Sequence, residues 1–396
     1  MMLKSWVSYY YTQTTSRIVL LAYTNKAVDE ICEALHESGP QIANHYIRIG
    51  SRSATGAAYR HRLLDQMMEP LTKRAEIKAL LDQTRIYVGT ISSLQGKSEL
   101  FNLVTFDVAI IDEASQLLEP TVVGLLTRFN KSILIGDHMQ LPAISIQPEK
   151  MSRVKPGVAW SERIGLTDMS MSYFERLYRL YQAKGWHYLI GTLDEQGRMH
   201  TDIMRFANQF IYQGFLKPVD SKVQGVALSE IFQHETKGLF KERLIYIPSG
   251  SSLAETYLKT NQEEANITID LIALWQKKIN EEKLPWTIGV ITPFRAQIAS
   301  IIHLGYLRQI DLSKVTIDTV ERYQGGARDI IIMSCAVNSM RSLSKITSVN
   351  TDGVDRKLNV AVTRARQQFV LIGNQSILES EPAYRSLITM STHHRV

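Results

Sequence analysis

The sequence predicts an α/β fold of two parallel-sheet domains, on three observations. Short β-rich apolar runs recur with amphipathic stretches between them, the pattern of strand–helix units. Most of the runs close on polar or glycine residues, as central strands of a two-faced sheet do. The runs also fall into two groups, separated by a charged helical stretch at Tyr173–Lys184. The first group is RIVLLAY (Arg17–Tyr23), IYVGT (Ile86–Thr90), VAIID (Val108–Asp112) and SILIGD (Ser132–Asp137). The second is YLIGTL (Tyr188–Leu193), TIGVITP (Thr287–Pro293), IIIMSC (Ile330–Cys335) and FVLIGN (Phe369–Asn374). The expected domains are therefore 1–185 and 186–396, with the boundary near Gly185.

Leu3, Trp6, Val7 and Tyr10 follow the i, i+3, i+4, i+7 spacing of one helix face. That helix starts at the first residue with no capping Ser, Thr, Asp or Asn before it. A strand normally precedes such a helix in an α/β unit, so the first domain is expected to be truncated at its N-terminus. Residues 50–85 form a polar, helix-prone insertion carrying Arg52, Arg60, Arg62, Lys73, Arg74, Lys78 and Arg85 among several acids. It reads either as a solvated helical pair or as an arm contacting phosphates beside a nucleic-acid groove.

The 396 residues are 44% hydrophobic and 21% charged, too apolar for a disordered coil and long enough for more than one core. No run approaches the roughly 18 apolar residues of a membrane helix, and the first residues lack a secretory pattern, so no membrane is expected. Cys32 and Cys335 stand alone, without CxxC spacing, which argues against a disulfide scaffold or zinc site and for a cytoplasmic setting. The net charge of +6 is compatible with a nucleic-acid partner without demonstrating one.

The chemistry concentrates at strand ends. VAIIDEASQ (Val108–Gln116) places two acids at the carboxyl edge of a parallel sheet, where open α/β folds bind ligands. In a nucleotide hydrolase Asp112 would hold Mg²⁺ through its water shell, and Glu113 would orient the attacking water. ILIGDHMQLPAI (Ile133–Ile144) supplies Gln140, whose amide suits a terminal phosphate. NVAVTRAR (Asn359–Arg366) supplies Arg364 and Arg366, guanidinium forks suited to the charge of phosphoryl transfer. Singly these could be a strand cap, a turn glutamine and surface arginines. Their joint order favours chemistry.

Taken together, these segments resemble the Upf-like branch of superfamily 1 helicases, which move 5′ to 3′. LAYTNKAVDEI (Leu21–Ile31) resembles motif Ia, IYVGTISSL (Ile86–Leu94) motif Ic, IIDEASQLLEP (Ile110–Pro120) motif II and LIGDHMQLPAI (Leu134–Ile144) motif III. DEQGRMHTDI (Asp194–Ile203), IGVITPFRAQ (Ile288–Gln297), TIDTVERYQGGARDIIIMS (Thr316–Ser334) and LNVAVTRARQQFVLIGN (Leu358–Asn374) resemble the motifs of the second motor domain. The resemblance spans nearly the whole chain in family order. It implies two RecA-like domains of the P-loop NTPase type, with ATP in the cleft between them and single-stranded DNA or RNA across their top. Asp112 would then be the metal ligand and Glu113 the catalytic carboxylate. Gln140, Arg198 and Arg364 would contact the terminal phosphate, and Gly325 would border the nucleotide. Thr24, Asn25, Thr90, Pro293, Phe294 and Arg295 would contact the nucleic-acid strand. The implied activity is ATP hydrolysis driving movement along it.

Three departures qualify the resemblance. Gly197 and Thr201 replace the family's Tyr and Pro around Arg198, and Ala327 replaces the motif V glutamate that meets the nucleotide sugar. The phosphate loop G-x-x-x-x-G-K-[ST] is missing from the chain. Gly89 to Ser98 ends in Gly-Lys-Ser, but six residues separate its glycines, so it reads as a coincidence inside motif Ic. The loop would lie just before the first helix. The polypeptide alone is therefore expected to bind ATP and Mg²⁺ weakly and to hydrolyse ATP negligibly. The alternative is a non-hydrolysing nucleic-acid-binding or scaffolding module derived from a helicase.

Overall fold

The computed structural model describes residues 2–155, 157, 159–233, 238–250, 258–323 and 326–394. The chain divides into two units, Met1–His138 with Pro142–Gly191, and Met139–Leu141 with Thr192–Val396. Each holds a parallel sheet, as the sequence predicts.

In the first unit the strands are β1 (Ile18–Ala22), β2 (Tyr46–Ile49), β3 (Ile86–Thr90), β4 (Val108–Ile111) and β5 (Lys131–Leu134). They pair in the order β2-β3-β1-β4-β5, all parallel. β1 to β4 are buried along their whole length, which is why β1, β3 and β4 read as largely apolar runs. Alternate side chains serve opposite cores. Val19, Leu21, Ala109 and Ile111 face one, whereas Ile18, Leu20, Val88 and Ile110 face the other, with Val7 and Tyr10 of helix α1 (Met2–Gln13) and Ile31 and Cys32 of helix α2 (Asn25–His36).

β2 escapes a reading by apolar runs because Arg48 interrupts it. That side chain is 1% exposed, and it is held by Asp29 at 2.7 Å and by Thr55 Oγ1 at 3.1 Å. The pairing makes a charged residue tolerable inside the sheet. Residues 50–85 are largely helical, through Ala57–Arg62, Leu64–Met68 and Arg74–Gln83. Helix α3 (Tyr173–Lys184) is capped by Ser172, whose hydroxyl accepts from the Glu175 amide, and stops at Gly185 in the left-handed region at φ 68°.

The second unit contains β6 (Leu244–Pro248), β7 (Ile288–Ile291), β8 (Val315–Asp318), β9 (Arg328–Ser334), β10 (Ala365–Gly373) and β11 (Thr392–His393). Their order is β8-β7-β9-β10-β6-β11, again parallel throughout. One expectation fails here. YLIGTL forms a single 3₁₀ turn at His187–Leu189 followed by irregular chain, and no strand. Tyr188 is 82% and Leu193 66% exposed, so these apolar residues have no sheet face to fill. Helices α4 (Thr201–Phe210), α5 (Gln262–Glu281), α6 (Arg295–Leu307) and α7 (Arg356–Thr363) cover the sheet. Trp275 of α5 is fully buried and donates its indole N–H to Gln368 Oε1 at 2.9 Å. Both cysteines are buried and free. Among the described residues, no helix is long and apolar enough to cross a membrane.

Candidate functional site

In a parallel sheet every strand ends at the same edge, so strand-end residues scattered in sequence gather there. In the first unit β1 leads into Thr24, whose exposed side chain caps α2 by accepting from the Ala27 amide at 3.1 Å. Asn25 is the first residue of that helix. On the neighbouring strand Thr90 lies two residues of sequence before Ser92 and pairs in register with Ala22. Its hydroxyl accepts from the Ser93 amide at 3.0 Å and bonds Ser93 Oγ at 2.7 Å, so Thr90 is only 6% exposed. Thr24→Ala is expected to cost about 1 kcal/mol, the usual worth of a helix cap, read as a shift in urea denaturation.

A cavity of about 320 Å³ opens beside these ends, lined by Asn25, Gly50, Ser51, Ser93, Gly96 and Lys97 among others. Lys97 belongs to the misleading Gly-Lys-Ser segment. Its ammonium is paired with Asp65 at 2.6 Å.

The acidic pair follows β4. The Asp112 amide donates to Leu21 O on β1 at 2.8 Å, and the Ala114 amide to Ile135 O at 2.8 Å, tying the turn to both neighbouring strands. Between them Glu113 adopts the left-handed region, φ 53° and ψ 37°. Such a conformation costs a non-glycine residue about 1–3 kcal/mol and concentrates at functional sites. The Glu113 amide donates to Asp112 Oδ1 at 3.0 Å, and Gln116 Nε2 donates to Glu113 Oε2 at 3.2 Å. Burial, reinforced by the Glu113 carboxylate, raises Asp112 above the usual carboxylate range. A divalent cation would relieve that cost. No group of three or more His, Cys, Asp or Glu ligands is assembled among the described residues. One carboxylate is nonetheless the donor set Mg²⁺ accepts when waters and substrate phosphates complete its shell. Asp112 fits.

Gly136, after β5, lies hard against this turn. A Cβ there would stand 2.9 Å from Ser115 N and 3.3 Å from Ala114 N.

The second unit gathers the other polar candidates. Gln196 Oε1 accepts from the Arg198 and Met199 amides at 2.9 and 2.8 Å, shaping the turn that presents the exposed Arg198. Arg198 Nη1 donates to Thr363 O at 3.3 Å, at the end of α7. His200 caps α4 by accepting from the Asp202 amide at 3.1 Å. Burial, with the Arg243 guanidinium, holds its pKa below the ordinary value. Arg364 follows α7 and is 2% exposed. Its Nη2 donates to Gln140 Oε1 at 2.7 Å, its Nε to Val360 O at 3.3 Å and its Nη1 to Gly326 O at 3.4 Å. Gln140, Arg198 and Arg364 are thus brought together around the end of α7. Asp355, unremarked in the sequence, fixes the other end by accepting from the Lys357 and Leu358 amides. Arg366 is exposed, with Asp329 3.7 Å away. Gly325 lies outside the described residues.

β7 leads through Thr292 into Pro293, Phe294 and Arg295. Phe294 precedes α6 and is buried at 8% exposure, whereas Arg295 opens the helix and is exposed. Beneath them lies a buried cluster that sequence reasoning missed, formed by Asn261, Glu264 and Gln297, each 0% exposed. A signal was present: Asn261 and Glu264 have the N-x-x-E spacing of a helix-capping pair.

AAA domain families match residues 62–148 and 169–376. The chain is 27% identical over 383 residues to the DNA replication ATP-dependent helicase/nuclease JHS1 of Arabidopsis thaliana, a match covering 94% of this chain and 26% of that protein. It is 27% identical over 327 residues to Helicase sen1 of Schizosaccharomyces pombe, covering 80% and 17%. Against the DNA replication ATP-dependent helicase/nuclease DNA2 of Xenopus laevis the figures are 27% over 382 residues, 90% and 33%. The chain therefore spans a third or less of the length of these relatives. A solved arterivirus nonstructural protein 10 (helicase) with DNA aligns at TM-score 0.44 and 11% identity, over 96% of this chain and 59% of that one.

Proposed function

The chain belongs to the Upf-like superfamily 1 helicases, with their AAA domain, and from that premise we propose that it forms the motor region of an ATP-dependent enzyme moving on single-stranded DNA or RNA. The observation that carries the reading is the Asp112–Glu113 turn, which presents a desolvated carboxylate and a left-handed glutamate at the edge where parallel sheets bind ligands.

When bound, Mg²⁺-ATP would supply the phosphoryl group and a cation to neutralise its charge. Asp112 would hold that cation. Glu113 would orient the attacking water and accept its proton. In the second unit, Gln140 would contact a terminal phosphate, and Arg198 and Arg364, gathered with it around the end of α7, would offset charge on phosphoryl oxygens. Thr24, Asn25 and Thr90 in the first unit, and Pro293, Phe294 and Arg295 in the second, would each contact a nucleic-acid strand, although Phe294 is largely buried. Their contacts would be largely to phosphates, hence nearly blind to sequence and sensitive to salt. The buried free thiols support a reducing, cytoplasmic compartment.

Full-chain binding to labelled oligo(dT) and oligo(U) tests the strand reading. Affinity should fall steeply from 50 to 200 mM salt, and Arg295→Ala should lower the log–log salt slope by about 1. No binding at low salt to either oligonucleotide would sink it.

A second reading rests on one observation: the chain has no G-x-x-x-x-G-K-[ST] segment, and Lys97 of its nearest imitation is engaged with Asp65. Backbone amides and a free lysine make most of a triphosphate cradle. This polypeptide by itself is then a strand-binding module that hydrolyses ATP negligibly. A steady-state ATPase assay with single-stranded stimulator decides, since turnover abolished by Glu113→Gln would overturn it.

A further inference from the structure

The carboxylate of Glu264 is fully buried in the second unit, in the first turn of α5. The N-x-x-E spacing would direct it back to the Asn261 amide as a cap. That amide instead donates to Gln297 Oε1 at 2.9 Å, and the carboxylate turns inward. Its Oε1 accepts from Ser249 Oγ at 3.2 Å, and its Oε2 from Ser334 Oγ at 2.8 Å and the Ala336 amide at 2.7 Å. Ser249 follows β6 and Ser334 ends β9, two strands separated in the sheet by β10. One side chain therefore ties together the ends of two non-adjacent strands.

The tie extends further. Ser334 Oγ also accepts from Gln297 Nε2 at 3.1 Å, and Gln297 Nε2 donates to Asn261 O at 3.0 Å. Gln297 lies in the first turn of α6, two positions beyond Arg295. Asn261 Nδ2 donates to Gly250 O at 2.8 Å and to Asn338 Oδ1 at 2.9 Å. Three edge segments, after β6, β7 and β9, thus hang from one buried cluster. One of them contains Ala336 in the left-handed region at φ 47°, a conformation the hydrogen bond to Glu264 holds in place. The titratable groups facing the carboxylate are Glu263 of α5, Cys335 after β9 and Tyr246 in β6. An apolar residue of similar size would pack here without burying a charge. What the carboxylate adds is three directed acceptor bonds.

We infer that Glu264 is a positioning residue: it sets the carboxyl-edge turns of the second sheet, including the start of α6, so that Arg295 meets the nucleic-acid strand. This rests on the strand-binding reading above. Glutamine at the same place offers one accepting oxygen and one donating NH₂, so it can accept two of the three bonds only if one serine hydroxyl turns to accept the third. Glutamine is the closest substitute, because a serine can turn to accept from its amide.

The test uses the full chain, amide hydrogen exchange and oligo(dT) binding. Glu264→Ala leaves three buried donors unsatisfied. Exchange at 292–297 and 334–338 should rise about tenfold or more, and affinity should fall about tenfold. Glu264→Gln should restore both to within about twofold of the parent. Arg295→Ala should weaken binding in the parent background and add less than its full factor to Glu264→Ala, as coupled residues do. Should Glu264→Ala not fold, Ser334→Ala takes its place under the same criteria. Unchanged exchange overturns the proposal, as does raised exchange with unchanged affinity or full additivity with Arg295→Ala. If Arg295→Ala leaves the parent's affinity unaltered, the strand reading itself fails and the proposal falls with it.

Discussion

Gly136→Ala is expected to destabilise the first unit by about 2–3 kcal/mol, at the upper end of overpacking penalties. The added methyl would stand 2.9 Å from Ser115 N and 3.3 Å from Ala114 N. Both are backbone atoms, so no side chain can swing aside. The turn they belong to is fixed from both sides, by the Asp112 amide on Leu21 O and the Ala114 amide on Ile135 O. Relief must therefore come from displacing the turn that carries Glu113, which already occupies a costly backbone conformation. Chemical denaturation should show the loss. Amide exchange across 112–116 should rise more than that of β2, which lies three strands away from β5's neighbour β4 in the sheet order. A stability within about 0.5 kcal/mol of the parent, the range of ordinary surface changes, would show that the turn yields freely.

The second large effect is a dependence on pH. Burial is the main cause that raises Glu264, from an ordinary 4.5 to about 7, and the three hydrogen bonds it accepts only partly oppose this. The folded chain therefore keeps a proton that the unfolded chain has already released between these two values. Stability falls as pH rises across that window and levels off above about pH 7. The total is on the order of 3 kcal/mol for a shift of this size. Glu264→Gln cannot titrate, so its stability relative to the parent should improve from about pH 5 to pH 7 and change little from there to pH 8. Denaturation midpoints of the two proteins at those pH values check this, and parallel curves would refute it.

Much of the architecture was legible because burial on both faces leaves strands such as Val108–Ile111 apolar throughout. Composition fails where a pairing hides inside the fold. Arg48 broke the pattern of β2, yet it is buried because Asp29 and Thr55, both outside the strand, accept its guanidinium. YLIGTL failed in the opposite direction: it has the residues of a strand, but its amides close a 3₁₀ turn and it pairs with no strand among the described residues. Among the candidate residues, motif order singled out Arg364 and Gln140 but gave no sign that they bond each other or that the arginine is buried. Glu264 was hidden by its own spacing. N-x-x-E announces a cap, and only the tertiary environment reveals that the carboxylate has left the helix end for the core.

The path between β2 and β3 has an evolutionary consequence. These strands are neighbours in register, Tyr46 beside Ile86, although the whole 50–85 excursion separates them in sequence. Leu81 of its last helix packs into the core, and the return to β3 depends on that helix. The preceding stretch skirts the cavity rim through Gly50, Ser51 and Ala54. Meanwhile β1 and β3 stand between β2 and the strand that bears the acids. The exposed rim residues 51–54 are therefore free to change in charge or size without reaching the Asp112–Glu113 turn, whereas Thr55, buried against Arg48, is not.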